Sequence, residues 1–217
     1  IESGDTYMFA GTFYGCSGLT GSIPENLFGR ISPYGTYSGI YGNPAGAMFS
    51  ETFYGCSGLT GNIPENLFGR MLPYGTYAGI YGEPARNMFV ATFSGCSGLT
   101  GSIPENLFGR TLPDGTYAGI SGEPAIHMFS STFSGCSGLT GSIPENLFGR
   151  ILPDGTYAGI SGDPVSYMFS QTFYGCSGLT GYIPPTLFKG IRTNETVPAQ
   201  MVNIFYGTYL DTECPAG

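Results

Sequence analysis

Apolar residues recur at the same offsets five times along this chain. Phe13, Phe53, Phe93, Phe133 and Phe173 each open the string F-x-G-C-S-G-L-T-G-x-I-P, each 40 residues after the last. A strict period of this kind marks tandem units that stack on one another. Within a unit, Met48, Phe49, Thr52, Phe53 and Cys56 stand at i, i+1, i+4, i+5 and i+8, the spacing of one helical face. Pro44, Pro84, Pro124 and Pro164 follow Asn43, Glu83, Glu123 and Asp163, which suits a helix start, and Gly55 and Gly58 suit its stop. The pattern therefore predicts a short helix. Leu19-Thr20-Gly21-Ser22-Ile23 alternates apolar and polar and predicts a short strand between coils. Pro24 to Gly29 reads as one helical turn, and Ser32 to Tyr37 as a turn-rich loop.

No unit can bury its Met, Phe, Leu and Ile residues alone, so stacking must build a continuous core. The fold class this implies is an α/β repeat solenoid, leucine-rich-repeat-like. Its five stacked 40-residue units each carry a short helix, a short strand, a helical turn and a Tyr/Gly-rich loop, with a C-terminal cap. Residues 1–192 form the five-unit solenoid and 193–217 a degenerate cap, because I-P-E-N-L-F-G-R becomes I-P-P-T-L-F-K-G at Ile183. A partial copy from Met201 to Leu210 keeps F-Y-G but has Thr208 in the cysteine position. Whether a unit makes one long coil or two short ones stays open at this point.

The string M-F-x-x-T-F-x-G-C-S-G-L-T-G-x-I-P-x-x-L-F resembles the BspA-like leucine-rich repeats of bacterial surface proteins. The resemblance covers about half of each unit, and the Tyr/Gly-rich loop after Arg30, Arg70, Arg110 and Arg150 departs from it. It implies a right-handed α/β solenoid and an extracellular or cell-surface binding or adhesion role.

Composition narrows the partners. The 37 Gly and 16 Pro recur at fixed positions and act as turn punctuation, while 16 Tyr and 16 Phe supply the core that a disordered chain lacks. A net charge of −8 without any Lys/Arg cluster argues against nucleic acid. No apolar run approaches the ~20 residues that span a bilayer, so no membrane insertion is expected. Ile1 opens directly into repeat-like sequence without a signal peptide, so a mature product or an excised fragment is expected.

Chemistry is sparse. Cys16, Cys56, Cys96, Cys136 and Cys176 occur once per unit at one position, which predicts a column of buried free thiols. Zinc needs more than the one His, His127, and a C-x-x-C spacing that the chain lacks. A cysteine nucleophile needs a base that four of the five units do not have. We therefore expect no cofactor, no metal and no enzymatic activity. Cys214 lies outside the repeat. Either Cys176 and Cys214 form a disulfide that pins the cap, or C-P-A-G opens a further Cys-rich module. The columns Glu25/65/105/145 and Arg30/70/110/150 read as exposed alignment pairs worth about 0–1 kcal/mol each. The threonine column from Thr20 to Thr180 reads as strand-face polarity, and Asn194-Glu195-Thr196 matches a glycosylation acceptor.

Differences between units mark the candidate contact surface. Ala47, Asn87, His127 and Tyr167 vary at one position, and Glu51, Ala91, Ser131 and Gln171 at another, opposite the invariant face. In the loop, Tyr34, Tyr37, Tyr41, Tyr74, Tyr77 and Tyr81 make the early units Tyr-rich, and Asp114/Ser121 and Asp154/Ser161 make the later ones acidic and polar. Tyrosine supplies rigid amphipathic anchors, although drift on solvated positions gives the same pattern. Two functions remain: a surface module for adhesion to a host protein or glycan, and a structural subunit that joins copies of itself end to end into filaments or a layer. Gly4 to Phe9 enters the repeat with little polar capping sequence, which favours the second; the degenerate last unit favours the first.

Overall fold

A computed structural model describes residues 6–192 and 203–210. The expected tandem repeat is present, and each 40-residue unit makes one coil. Ala47, Phe49, Glu51, Phe53 and Gly55 donate their N–H groups to the carbonyls of Arg86, Met88, Val90, Thr92 and Ser94, 39 residues on, at 2.7–2.8 Å. The same ladder recurs from coil to coil and ties the units into a stack.

The helix expected around Met48–Cys56 is absent, and no described residue is helical. This overturns the α/β, leucine-rich-repeat-like expectation. In its place runs a ribbon of overlapping β-turns. Met48, Ser50, Thr52, Tyr54 and Cys56 donate three residues back, at 3.1–3.3 Å, while the residues between them bond to the next coil. Ala47, Glu51 and Gly55 take positive φ (52°, 55° and 69°), as a type II turn requires at its third residue. Every second turn is thus of the left-handed kind. The ribbon repeats every four residues, so Met48/Thr52/Cys56 and Phe49/Phe53 still share one face and are all buried.

Spacing explains the choice. Two packed helices sit about 8–10 Å apart, whereas chains joined by backbone hydrogen bonds lie about 4.8 Å apart. Identical phenylalanines in successive coils can stack only at the shorter distance. They form three ladders. Phe9, Phe49, Phe89, Phe129 and Phe169 have centroids 5.3–5.7 Å apart. Phe13, Phe53, Phe93, Phe133, Phe173 and Phe205 follow at 5.3–5.7 Å. Phe28, Phe68, Phe108, Phe148 and Phe188 follow at 5.9–6.1 Å and meet the first ladder edge-on or tilted.

The segment read as a turn-rich loop is a β-hairpin. The strands are β1 (Gly29–Ile31), β2 (Tyr37–Gly39), β3 (Gly69–Met71), β4 (Tyr77–Gly79), β5 (Gly109–Thr111), β6 (Tyr117–Gly119), β7 (Gly149–Ile151) and β8 (Tyr157–Gly159). They pair antiparallel two by two, one hairpin in each of four units, with Gly69 opposite Gly79 and Met71 opposite Tyr77. Leu72-Pro73-Tyr74-Gly75 makes the tip. Gly75 donates to the Leu72 carbonyl at 3.0 Å and holds φ 77°, a turn closed by a left-handed glycine. The Tyr77 ring folds over Gly69, where a Cβ would collide with the phenol, and its hydroxyl donates to the Ile80 carbonyl at 3.1 Å.

The expected strand at Leu19–Ile23 shrinks to single parallel bridges such as Gly21 to Leu59 and Gly61 to Leu99. The expected helical turn at Pro24 is one β-turn, closed by Leu27 N–H to the Pro24 carbonyl at 3.1 Å. Beyond the last full unit, Ile204 and Tyr206 accept bonds from Phe173 and Gly175, so the partial copy continues the ribbon.

Two outcomes are expected in urea titrations. Phe89→Ala, in an inner coil with no exposed surface, lowers stability by about 3–5 kcal/mol, and Phe9→Ala in the half-buried first coil lowers it less. Glu51→Gly relieves a left-handed non-glycine residue on an exposed site and raises stability by roughly 0.5–1 kcal/mol.

Candidate functional site

The hairpins stand side by side and leave open grooves between them. One, of about 490 Å³, is lined by Tyr37, Ser38, Tyr41, Leu72, Thr76 and Tyr77. The next, of about 400 Å³, lies between Tyr77 and Tyr81 on one side and Leu112, Asp114 and Tyr117 on the other. Tyr41 and Tyr81 meet edge to face at 5.5 Å, and hydrogen bonding with Tyr41 raises the Tyr81 pKa above its usual value. Tyr34 and Tyr74 at the tips are 94% and 90% exposed, so their rings are held by nothing around them. In later coils Asp114 and Asp154 replace them. Each accepts bonds from the hydroxyl and N–H of the threonine two residues on, which keeps its carboxyl below the usual pKa.

The six tyrosines singled out in sequence therefore divide. Tyr34, Tyr74, Tyr41 and Tyr81 are exposed, whereas Tyr37 and Tyr77 are half-buried struts that pack on Gly29 and Gly69 and donate to Ile40 and Ile80. The variable ribbon positions also divide. Ala47 is buried, Asn87 and His127 are half-buried, and Glu51, Tyr167 and Gln171 are exposed. All six hold positive φ, so these columns are the left-handed corners of the ribbon. His127 stacks on Tyr167 at 5.0 Å. The hairpin grooves and their order along the stack were not visible in the sequence, although L-P-D-G-T-Y carries the turn chemistry that makes them.

Cys56, Cys96, Cys136 and Cys176 are buried free thiols, and Cys16 is an exposed one. Each buried thiol donates to the phenylalanine carbonyl of the preceding coil at 2.9–3.0 Å, as Cys56 does to Phe13. Burial raises their pKa values, to about 12 for Cys96 and Cys176, so they are poor nucleophiles at neutral pH. Cys214, the other half of the disulfide reading, and the Asn194 acceptor lie outside the described residues.

The charge columns are exposed only in part: the four glutamates and Arg30 are exposed and Arg70 is half-buried. Arg110 and Arg150 are buried between coils. Arg110 bonds Asn66 at 3.2 Å and lies 3.8 Å from Glu65, and Arg150 donates to the Gly109 carbonyl at 2.8 Å. Their Nε atoms have no partner, and desolvation pulls the Arg150 pKa down from its usual value. The glutamates instead accept from the next coil, Glu65 from Asn106 and Glu105 from Asn146, at 2.8 and 2.7 Å. Neutral amides thus separate like charges along the stack.

Among the described residues, no group of three or more His, Cys, Asp or Glu is placed to hold a metal, and no helix is long and apolar enough to cross a membrane. Compared with protein-family models, curated proteins and solved structures, the chain matches none.

Burial makes stability fall in alkali. Unfolded thiols and phenols lose their protons near 9.0 and 10.0, while Cys96, Cys136, Cys176, Tyr77 and Tyr117 keep theirs to higher pH when folded. The folded state then binds more protons at these groups, so their contribution to stability is level below about pH 8.5 and is lost above it. Urea midpoints measured from neutral pH into alkali should show this decline. In dilute solution at mild pH, iodoacetamide should label Cys16 and spare Cys56, Cys96, Cys136 and Cys176 until denaturant is added, as peptide mass mapping would show.

Proposed function

We propose that this chain is a non-enzymatic binding module of the cell surface or extracellular space, which takes a protein or a glycan along its hairpin face. The observation that carries this reading is the row of tyrosine-walled grooves between hairpins, with Tyr34 and Tyr74 unsupported at the tips. Exposed aromatic side chains around an open groove suit the flat faces of sugar rings and the apolar patches of proteins alike. The likeness of M-F-x-x-T-F-x-G-C-S-G-L-T-G-x-I-P to the repeats of BspA-like surface proteins supports the location and the adhesive role. It carries no further weight for the fold. The non-enzymatic reading is supported by repetition: near-identical coils repeat nearly the same groups at each step. The polar side chains lining the two hairpin grooves are tyrosine, serine, threonine and one aspartate, with no histidine or cysteine to act as base or nucleophile.

The test is binding to a panel of immobilised glycans and a parallel panel of extracellular proteins. Tyr34→Ala/Tyr74→Ala should weaken any specific binding about tenfold or more and leave the unfolding midpoint unchanged. Tyr37→Ala and Tyr77→Ala should lower stability instead. Binding that survives the loss of both tip tyrosines would move the contact surface away from the hairpins.

A further inference from the structure

The first described coil and residues 203–208, the last described stretch of ribbon, carry complementary edges. In the first coil Met8, Phe9 and Phe13 are half-buried and Cys16 and Leu19 exposed, although Met48, Phe49, Phe53, Cys56 and Leu59 in the same positions are buried. An apolar cleft of about 260 Å³ opens there, lined by Phe13, Leu19, Ile23 and Leu27. The carbonyls of Met48, Ser50, Thr52 and Tyr54 each accept a backbone hydrogen bond from the coil before. Those of Met8, Ala10, Thr12 and Tyr14 accept no backbone hydrogen bond among the described residues, and the Tyr14 carbonyl takes only the Cys16 thiol, at 3.9 Å.

At the other end, residues 203–208 retrace 171–176. Phe173 donates to Ile204 at 3.0 Å and Gly175 to Tyr206 at 2.7 Å, and Asn203 and Gly207 take the left-handed corners at φ 55° and 74°. In this ribbon the next outward donors are the N–H groups of Phe205 and Gly207. Neither has a backbone acceptor among the described residues.

The sequence also marks both ends in one column. Its members run Tyr14, Tyr54, Ser94, Ser134, Tyr174 and Tyr206, with tyrosine at the two ends and serine between. Tyr14 stacks on Tyr54 at 4.8 Å, and Tyr174 on Tyr206 at 5.2 Å. The outermost rings, Tyr14 and Tyr206, are 56% and 65% exposed.

We propose that copies of this chain join end to end, with residues 203–208 of one serving as the coil before residues 11–16 of the next. Phe205 N–H then meets the Thr12 carbonyl of the next copy, and Gly207 N–H meets its Tyr14 carbonyl. The phenylalanine ladder continues from Phe205 to Phe13. Tyr174, Tyr206, Tyr14 and Tyr54 form one stack of four across the joint, and the Cys16 thiol reaches Phe205 as that of Cys56 reaches Phe13. Such a contact joins different faces of identical molecules and does not close on itself, so it propagates into filaments. It does not depend on ligand binding by the hairpins.

The experiment is sedimentation velocity on the 217-residue chain over a concentration series, with electron microscopy of the same samples. The mass should rise with concentration, filaments should appear, and Cys16 should become protected from iodoacetamide as they form. Tyr14→Lys/Tyr206→Lys sets like charges across the joint and should weaken association roughly 100-fold. Tyr14→Glu/Tyr206→Lys sets opposite charges there and should restore it. Tyr34→Ala/Tyr74→Ala should assemble like the parent chain, which separates this joint from the hairpin face. A parent chain that stays monomeric throughout overturns the proposal and leaves the open edge to some other partner. So does a Lys/Lys variant that assembles like the parent, or a Glu/Lys variant that fails as the Lys/Lys variant does.

Discussion

Backbone hydrogen bonds between coils hold successive units about 4.8 Å apart, and everything else in the molecule answers to that distance. Phenyl rings satisfy it by offset stacking, at 5.3–5.7 Å in the two ribbon ladders, a geometry that aromatic quadrupoles favour over face-to-face contact. Glycine satisfies it where chains come closest, as at Gly58, whose added Cβ would strike the Ser17 and Leu19 carbonyls. Charge satisfies it worst, because identical side chains repeat within one another's field. Alternating Glu with Asn, and turning Arg110 and Arg150 inward onto carbonyls and amides, lets a charged column persist.

The same spacing decides which polar groups enter the core. Thr52, Thr92, Thr132 and Thr172 are fully buried, each with its hydroxyl within reach of a phenylalanine carbonyl of the coil before. The cysteines do likewise with the next phenylalanine along. A buried hydroxyl without a partner is costly. Here each has one because the same carbonyl arrives at the same place in every coil. These bonds cross between units, so they add to the interface that makes a stack stable where a single unit is not.

The repeat, its period and the buried face were legible in the sequence, because they rest on which positions are apolar. The element was not. Positions i, i+4 and i+8 fit a helix of 3.6 residues per turn and a ribbon of period four equally well over so short a run. What separates them is the left-handed corner every fourth residue. Gly55 shows that corner openly, but Ala47 and Glu51 conceal it behind side chains that rarely adopt it. Gly11, in the Glu51 position of the first coil, was the available hint. The hairpins are a different kind of miss. Leu112-Pro113-Asp114-Gly115 states a turn plainly, but the three-residue strands beside it are too short to show alternation. Of the candidate site, the outward tips at Tyr34 and Tyr74 could be read from their variation between units. The inward role of Tyr37 and Tyr77 could not, since it depends on glycine in the opposite strand.

A stack of near-identical coils spreads each chemical group evenly along its length, so specificity has to come from the positions that break the repetition. Two of the patterns that do so differ in shape. The hairpin tips and groove walls change once, from Tyr34, Tyr41, Tyr74 and Tyr81 to Asp114, Ser121, Asp154 and Ser161, which gives the side of the stack a direction. The column from Tyr14 to Tyr206 changes twice and ends as it began. A one-way gradient suits a ligand laid along several grooves in one orientation. A column alike at both ends does nothing for such a ligand, but it gives matching surfaces to two faces that would meet only when one molecule follows another.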